Sequence, residues 1–334
     1  MKFGYLEFRY GKRTGGPQES ASLSINIGDN IQSLAVRNLF HRIGIPESGV
    51  VGVDRDDLPG YRGGPVRLLM NGCFYQRCFP LPETITPVFF GFNTASDGLV
   101  RDHRAMFKKH EPIGCRDAAT QELLTRHGIA AYVSGCATLT LDRRESTPRE
   151  GVAIISHGSG AGEFPGALLE HIPPALLAGA GFVFQRSQAN GAPLDDAAVA
   201  QADSMARSYL EKYRSSASLI ITPLLHVASP CLARGIPVVL ARKAMDDRFT
   251  SINRLIPVYT PETFKAIDWS PAVVPLEEVK RTMADCVRVL LDLGKPEPSM
   301  IGRFNDLYAA SQLKPPFPAV PSGPAKRTWP WQRR

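Results

Sequence analysis

Residues 218–241, SLIITPLLHVASPCLARGIPVVLA, place two apolar runs on either side of a short helical pattern. Short apolar runs that are bounded by turn residues are typical of strands buried on both faces. A helix that connects two such strands makes them parallel neighbours in one sheet. The stretch therefore restricts the chain to an α/β fold with a parallel sheet covered by helices.

The same alternation of apolar runs and helical patterns extends through both halves of the chain. Up to residue 145, the predicted strands are 3–8, 50–53, 66–70, 88–92 and 130–133, and the predicted helices are 28–42 and 117–127. From residue 146 onward, strands are predicted at 152–156, 182–184, 219–222, 236–240 and near Val258. Helices are predicted there at 164–177, 195–213, 277–293 and 301–312, besides the short segment that contains His226.

Two such series predict two Rossmann-like, doubly wound domains that face each other across a cleft. A polar, proline-containing linker at 141–150 separates an N-terminal domain, 1–145, from a C-terminal domain, 146–313. We expect the last helix to cross back onto the first domain. The remaining residues, 314–334, form a proline-rich basic tail that is predicted to be disordered.

Composition and charge narrow the class of protein. No apolar run is long enough to span a bilayer, and the first residues lack the apolar core of a signal peptide, so a cytoplasmic protein is expected. The six cysteines lie scattered without metal-ligand spacing, which favours reduced thiols and no metal. Five of the seven net positive charges lie in the tail, and the near-neutral body argues against nucleic-acid binding.

The tail places Trp329 and Trp331 beside basic residues. Such a segment is either a solvated tail with chance aromatic residues or a contact with the anionic inner face of a membrane. No pattern in the sequence indicates an oligomeric state.

Turns at predicted strand ends carry side chains and glycines that suit an anionic ligand. His226 and the glycine-rich turn of Gly158 and Ser159 follow predicted strands, and Arg116 stands at the end of a further short strand, 112–115. Open α/β sheets bind ligands at that edge. An arginine fork and exposed backbone amides can hold a carboxylate or a phosphate. Each feature also has a structural interpretation: a core histidine, a local pair of Arg116 with Asp117, or a plain turn.

A further candidate lies at the start of the predicted helix 28–42. The segment 28–30 consists of a glycine (Gly28), a short acidic residue (Asp29) and an amide residue (Asn30). Asp29 is a candidate N-cap of the predicted helix. Such a helix start presents backbone N–H groups to a ligand or to solvent. Taken alone, this pattern is also that of an ordinary helix start.

Four of these segments together resemble the polysaccharide pyruvyl transferase family. The matching pieces are NIGDNIQSLA (26–35), PIGCRDAATQELLTRHGI (112–129), AYVSGCATLTL (131–141) and LIITPLLHVASPCLARGIPVV (219–239). They occur in the family's order over roughly residues 20–260. The resemblance implies a GT-B-like architecture, with an acceptor side in the first domain and a donor side in the second.

The resemblance also implies an activity. Such enzymes transfer the carboxyvinyl group of phosphoenolpyruvate onto a sugar of a surface polysaccharide or its lipid-linked precursor, forming a pyruvate ketal without a cofactor. It implies that His226 moves a proton and that Arg116 clamps an anionic group of the donor. The expected donor-side residues are Arg116, His226, Gly158, Ser159, Lys243 and Arg248. The expected acceptor-side residues are Gly28, Asp29 and Asn30.

One position departs from the family pattern. Members commonly have an arginine two residues before the histidine, and Leu224 stands there in this chain. Either a nearby cation replaces it, or the donor differs, or the protein does not catalyse. The candidate replacements are Arg242, Lys243, Arg248 and Arg254. Two alternatives therefore stay open: a GT-B glycosyltransferase that uses a nucleotide sugar, and a non-catalytic glycan-binding relative.

Overall fold

The structure, a computed structural model, describes residues 1–11 and 22–310. Its strands are β1 (Lys2–Glu7), β2 (Ser22–Asn26), β3 (Val50–Asp54), β4 (Val66–Leu69), β5 (Gly72–Cys73), β6 (Ile85–Val88), β7 (Phe92–Asn93), β8 (Ile113–Cys115), β9 (Ala131–Val133), β10 (Val152–His157), β11 (Gly181–Phe184), β12 (Arg186–Asn190), β13 (Ala217–Thr222), β14 (Val238–Ala241) and β15 (Val258–Tyr259). Its α-helices are α1 (Ile27–Arg42), α2 (Asp97–Asp102), α3 (Arg104–Lys109), α4 (Ala118–Arg126), α5 (Pro174–Ala178), α6 (Asp196–Ser216), α7 (Leu225–Ala233), α8 (Glu277–Leu291) and α9 (Pro298–Ala310).

The first half of the chain forms a broad layer of parallel strands. Four strands lie in the order β3-β1-β4-β6, and four shorter strands lie in the order β5-β7-β8-β9. Strand β4 leads into β5 and β6 leads into β7 across short breaks, and the Gly72 N–H donates to the Gly91 carbonyl (3.2 Å) there. The prediction of one continuous strand over 88–92 is wrong, because Gly91 adopts a left-handed φ of 69° that ends the extended conformation.

The second half forms a five-stranded parallel sheet in the order β11-β10-β13-β14-β15. This order is that of a doubly wound sheet, in which the chain starts at an inner strand and moves outward in both directions. The point at which the direction changes lies between β10 and β13. The α/β fold with parallel sheets that the sequence predicts is therefore confirmed, and the crevice outside the carboxyl ends of β10 and β13 is the usual ligand position in such a sheet.

An antiparallel ribbon and a shared core join the two halves. Strand β12 of the second half pairs with β2 of the first half, with Arg186 opposite Asn26. One apolar core includes buried side chains from both halves, such as Val36 on α1 and Val227 on α7. Helix α1 also packs against α6 and α7. The start of α1 is therefore fixed against the carboxyl edge of the second sheet.

The last two helices contact the first half of the chain. The Phe304 ring on α9 lies 5.8 Å from the Tyr132 ring and 6.4 Å from the Phe90 ring, measured between centroids. The Tyr308 hydroxyl donates to the Ser134 carbonyl (3.2 Å), directly after β9. Phe90 and Tyr132 are therefore buried against α9.

The long helices predicted from apolar spacing are confirmed at α1, α4, α6 and α8, with ends within a few residues of those predicted. The helix predicted at 164–177 is wrong. That segment forms a 3-10 turn, Gly166–His171, and the short α5, because Pro173 and Pro174 lack the N–H groups that a continuous helix needs. The N-cap of α1 is Asn26, whose side chain accepts from the Gly28 N–H (3.2 Å), and Asp29 lies inside the first turn.

None of the helices within residues 1–11 and 22–310 combines the length and apolar character that crossing a bilayer requires. The predictions for the tail 314–334, including Trp329 and Trp331, lie outside the described residues.

Candidate active site

The carboxyl ends of strands from both halves of the chain meet around His226. This residue lies in the first turn of α7, with backbone angles (φ −85°, ψ 17°) that depart from those of a helix. Burial lowers the His226 pKa well below its ordinary value, and the positive charges of Arg116 and Arg248 lower it further. The Nε2 atom is buried without a hydrogen-bond partner among the described residues. A neutral imidazole with an unused nitrogen therefore faces a cationic environment.

Arg116 follows β8 and is almost fully buried, with 3% of its surface exposed. Its Nη1 donates to Gln32 Oε1 (3.3 Å), and its buried Nε has no hydrogen-bond partner among the described residues. Asp117 is engaged elsewhere: it caps α4 by accepting from the Thr120 N–H (2.9 Å), and it accepts from Asn93 Nδ2 (2.6 Å). A local Arg116–Asp117 pair (4.0 Å) therefore does not account for the arginine.

The polar side chains at the start of α1 extend this cluster as a hydrogen-bonded chain. Gln32, which accepts from Arg116, donates to Asp29 Oδ1 (3.3 Å). The same carboxylate accepts from Asn26 Nδ2 (3.1 Å) and, at Oδ2, from the Tyr10 hydroxyl (3.2 Å). Buried polar groups need such partners, so this chain fixes where the Arg116 guanidinium lies.

The predicted acceptor-side residues divide into two groups. Gly28 lies against the histidine: a Cβ atom added to it would lie 3.2 Å from His226 Cβ and 3.4 Å from its Nδ1. Asp29 reaches the cluster through Gln32. Asn30 instead donates to Asp203 Oδ1 on α6 (2.8 Å), so its amide ties two helices together.

The glycine-rich turn follows β10 at the point where the second sheet changes direction. The Gly158 N–H donates to the Gly162 carbonyl (2.8 Å), and Gly160 adopts a left-handed φ of 59°. Gly158 is buried, whereas Ser159 is exposed. Leu224 packs against this turn, since its Cδ2 lies 2.5 Å from where a Cβ of Gly162 would be. A side chain at 162 would therefore require the Leu224 side chain to move.

Arg248 and Lys243 have different surroundings. Arg248 binds Asp246 through two nitrogens (3.0 and 2.8 Å), and its charge reaches His226. Lys243 Nζ lies 2.6 Å from Glu163 Oε2, and both side chains are more than half exposed. Arg248 thus lies near His226 with 34% of its side chain exposed. Lys243 instead lies in a surface ion pair beside the glycine-rich turn.

Arg242 serves as a bridge between loops. Its guanidinium donates to the carbonyl oxygens of Pro223 and Ala161 and lies 3.9 Å from the centroid of the Phe249 ring. Burial lowers the Arg242 pKa to about 10. Because its donors hold the turns after β10 and β13 together, Arg242 stabilises the edge of the second sheet. Arg254, the other candidate replacement, lies close enough to Tyr308 of α9 for its charge to act on the Tyr308 hydroxyl.

Two residues of this region carry no signal in the sequence. Gln32 lies on the buried face of α1, where apolar side chains are expected, and only its contact with Arg116 reveals a role. Arg186 follows β11 in an ordinary polar run, yet its Nε lies 3.9 Å from where a Cβ of Gly158 would be. The β2–β12 pairing brings Arg186 there, and local pattern does not predict such a long-range pairing.

The cluster of His226, Arg116 and Arg248 can bind a small anion and move a proton to or from it. The described residues contain no group of three or more His, Cys, Asp or Glu side chains that could hold a metal ion. Comparison of the chain with models of known families and with curated proteins gives no match. The resemblance to the pyruvyl transferases therefore stays a prediction based on the four segments.

Proposed function

We propose that this protein transfers the carboxyvinyl group of phosphoenolpyruvate onto a sugar of a polysaccharide or its lipid-linked precursor, in a GT-B-like arrangement. The observation that carries the proposal is the buried, unpartnered Nε2 of His226 in the field of Arg116 and Arg248. Phosphoenolpyruvate has a phosphate and a carboxylate, so its site needs cations. Its reaction also needs a group that moves protons near neutral pH.

In the proposed reaction, a sugar hydroxyl adds to C2 of the donor while C3 gains a proton. The C2–O bond to phosphate then breaks, and a second hydroxyl adds to the resulting oxocarbenium ion at C2. The two hydroxyl protons end on C3 and on the released phosphate, so the overall reaction balances. His226 accepts a hydroxyl proton and delivers a proton, and Arg116 binds an anionic group of the donor.

The electrostatics of the cluster favour this role for His226. Without a ligand, burial and the two guanidinium charges keep the imidazole neutral, because they lower its pKa. An anionic donor would offset those charges and raise the His226 pKa. The histidine would then accept a proton more readily when the donor is bound.

The test combines donor binding and turnover. We expect the wild-type protein to bind phosphoenolpyruvate in titration calorimetry and to release phosphate with a suitable sugar from an acceptor panel. His226→Gln should lower phosphate release by about 10²–10⁴-fold, the usual contribution of a general acid or base. His41→Gln, at an exposed position on α1, is the matched control and should keep wild-type turnover.

Three outcomes would contradict the proposal. Equal turnover of His226→Gln and the wild type would remove the histidine from the reaction. Binding of a nucleotide diphosphate sugar in place of phosphoenolpyruvate would favour a glycosyltransferase. Glycan binding without phosphate release from any acceptor would favour a non-catalytic relative.

A further inference from the structure

Leu224 occupies the position where the resemblance leads us to expect a donor-binding arginine. Its side chain packs into the glycine-rich turn, 2.5 Å from the position of a Gly162 Cβ and 3.7 Å from that of a Gly158 Cβ. Leucine at this position therefore supports the turn and brings no charge to it. A phosphate held at this turn would need a cation from another element.

Arg186 is fixed beside the turn by backbone hydrogen bonds of its neighbour. The Gln185 N–H donates to the His157 carbonyl (2.7 Å) at the end of β10, and the Gln185 carbonyl accepts from the Ile27 N–H (3.2 Å) at the start of α1. In addition, Arg186 pairs in register with Asn26, the N-cap of α1. Arg186 therefore begins β12 between the glycine-rich turn and the start of α1.

The charge of Arg186 is uncompensated within residues 1–11 and 22–310. It is half-buried and forms no ion pair or hydrogen bond through its side chain in that part of the chain. Arg248 in contrast binds Asp246, and Arg242 donates to loop carbonyls. The Arg186 guanidinium is half-buried without an ion-pair partner in that part of the chain, and its Nε lies 3.9 Å from the Cβ position of the buried Gly158. Such a guanidinium is suited to bind an anion that approaches the backbone of the turn closely.

We propose that Arg186 binds the phosphate group of the donor at the glycine-rich turn, and that it supplies the charge that Leu224 lacks. The identity of the donor rests on the proposed function, whereas the binding of a phosphate group rests on the surroundings of Arg186. In this arrangement Arg116 and Arg248 remain beside His226, where the carboxylate end of the donor would lie. Glycine at 158 keeps the backbone of the turn free of a side chain where it faces the guanidinium.

The experiment compares Arg186→Gln, Arg186→Lys and the wild type in titration calorimetry with inorganic phosphate and with phosphoenolpyruvate, at constant ionic strength. Arg207→Gln, at an exposed position on α6, is the matched control for loss of one positive charge. We expect Arg186→Gln to weaken both ligands by about 10–100-fold, as loss of a charged hydrogen bond does. Arg186→Lys keeps a positive charge but lacks the forked guanidinium, so its affinity for both ligands should lie between those of Arg186→Gln and the wild type.

Equal affinity of Arg186→Gln and Arg207→Gln for both ligands would overturn the assignment of Arg186. If Arg186→Gln fails to fold, Arg186→Lys decides, since wild-type affinity in that variant also contradicts a forked contact. Phosphate binding that depends on Arg186 without any phosphoenolpyruvate binding would support this inference and overturn the proposed donor. Phosphoenolpyruvate binding that is unchanged in the Arg186 variants would support the proposed donor and overturn the assignment of Arg186. A wild type that binds neither ligand would overturn both.

Discussion

The backbone of Gly28 lies directly against the side chain of His226, with room for little more than a hydrogen atom between them. A methyl group at position 28 would lie 3.2 Å from His226 Cβ, closer than almost all such contacts. Glycine at the second position of α1 therefore sets where the imidazole of the second half lies relative to the first half. Because α1 and α7 belong to different halves, this contact couples the two halves of the chain at the candidate site.

We expect Gly28→Ala to displace His226 by a few tenths of an ångström and to lower phosphate release at least tenfold. Thermal unfolding should change little, since alanine favours a helix by roughly 1 kcal/mol over glycine and offsets the crowding. Gly302→Ala on α9, where a Cβ would meet nothing within 4 Å, is the control and should keep wild-type turnover. Full activity in Gly28→Ala would show that the contact does not position the histidine.

The low pKa of His226 predicts a pH dependence of stability. The folded protein disfavours the imidazolium form, so protonation favours the unfolded chain as the pH falls below about 6.5. The free energy of unfolding should then fall by up to about 1.4 kcal/mol per pH unit from this group alone. Denaturant unfolding of the wild type and His226→Gln between pH 7 and 5, values chosen around the reference pKa, measures the difference.

His110 contributes in the same direction, because burial lowers its pKa as well. The comparison with His226→Gln removes that shared contribution, since His110 is present in both proteins. Parallel stability curves for the two proteins would contradict a depressed His226 pKa. Saturation with an anionic donor should flatten the wild-type curve, because the ligand favours the imidazolium form.

Lys280 on α8 is fully buried and holds the end of α7. Its ammonium donates to the Ala233 carbonyl (2.7 Å), the last residue of α7, and to Glu277 Oε1 (2.6 Å). Lys280→Met keeps the volume but leaves that carbonyl without its donor, so we expect a loss of about 1–3 kcal/mol in the free energy of unfolding. Lys265→Met, at an exposed position, should change it by less than about 0.5 kcal/mol. An equal loss in the free energy of unfolding for Lys280→Met and Lys265→Met, measured by denaturant unfolding, would contradict the role of Lys280.

Asp117 combines a helix cap with a buried hydrogen bond to Asn93. Asp117→Ala removes the cap of α4 and leaves the Asn93 amide buried without that partner, so we expect a loss of about 2–4 kcal/mol. The matched control is Ser96→Ala, which removes the half-buried N-cap of α2 (3.1 Å to the Leu99 N–H) and should cost about 1 kcal/mol. Similar costs in thermal or denaturant unfolding would show that the Asn93 contact contributes little.

Much of the fold follows from local pattern. The apolar periodicity of α8 and the buried runs β13 and β14 predict those elements, because side-chain spacing follows the helical and strand repeats. The failures have local causes as well: Gly91 interrupts a strand with its left-handed φ, and Pro173 and Pro174 stop a helix.

The candidate site is predicted in part. The positions of His226 and Arg116 after strands follow from the sequence, because a strand and the turn after it are contiguous in the chain. The exposure of Lys243 and its pairing with Glu163 do not follow, because two loops must meet before that ion pair can form. Asn30 likewise faces α6 only because α1 and α6 pack together.

The sequence by itself determined the parallel α/β class and the placement of a histidine and an arginine at strand ends. Only the tertiary structure decided that Gln32 orients Arg116, that Gly28 touches His226, and that Arg186 lies beside Gly158. The physical reason is the distance along the chain over which each kind of interaction acts. Periodicity and turn chemistry act over a few residues, whereas these three contacts depend on the β2–β12 pairing and the packing of α1 against α7.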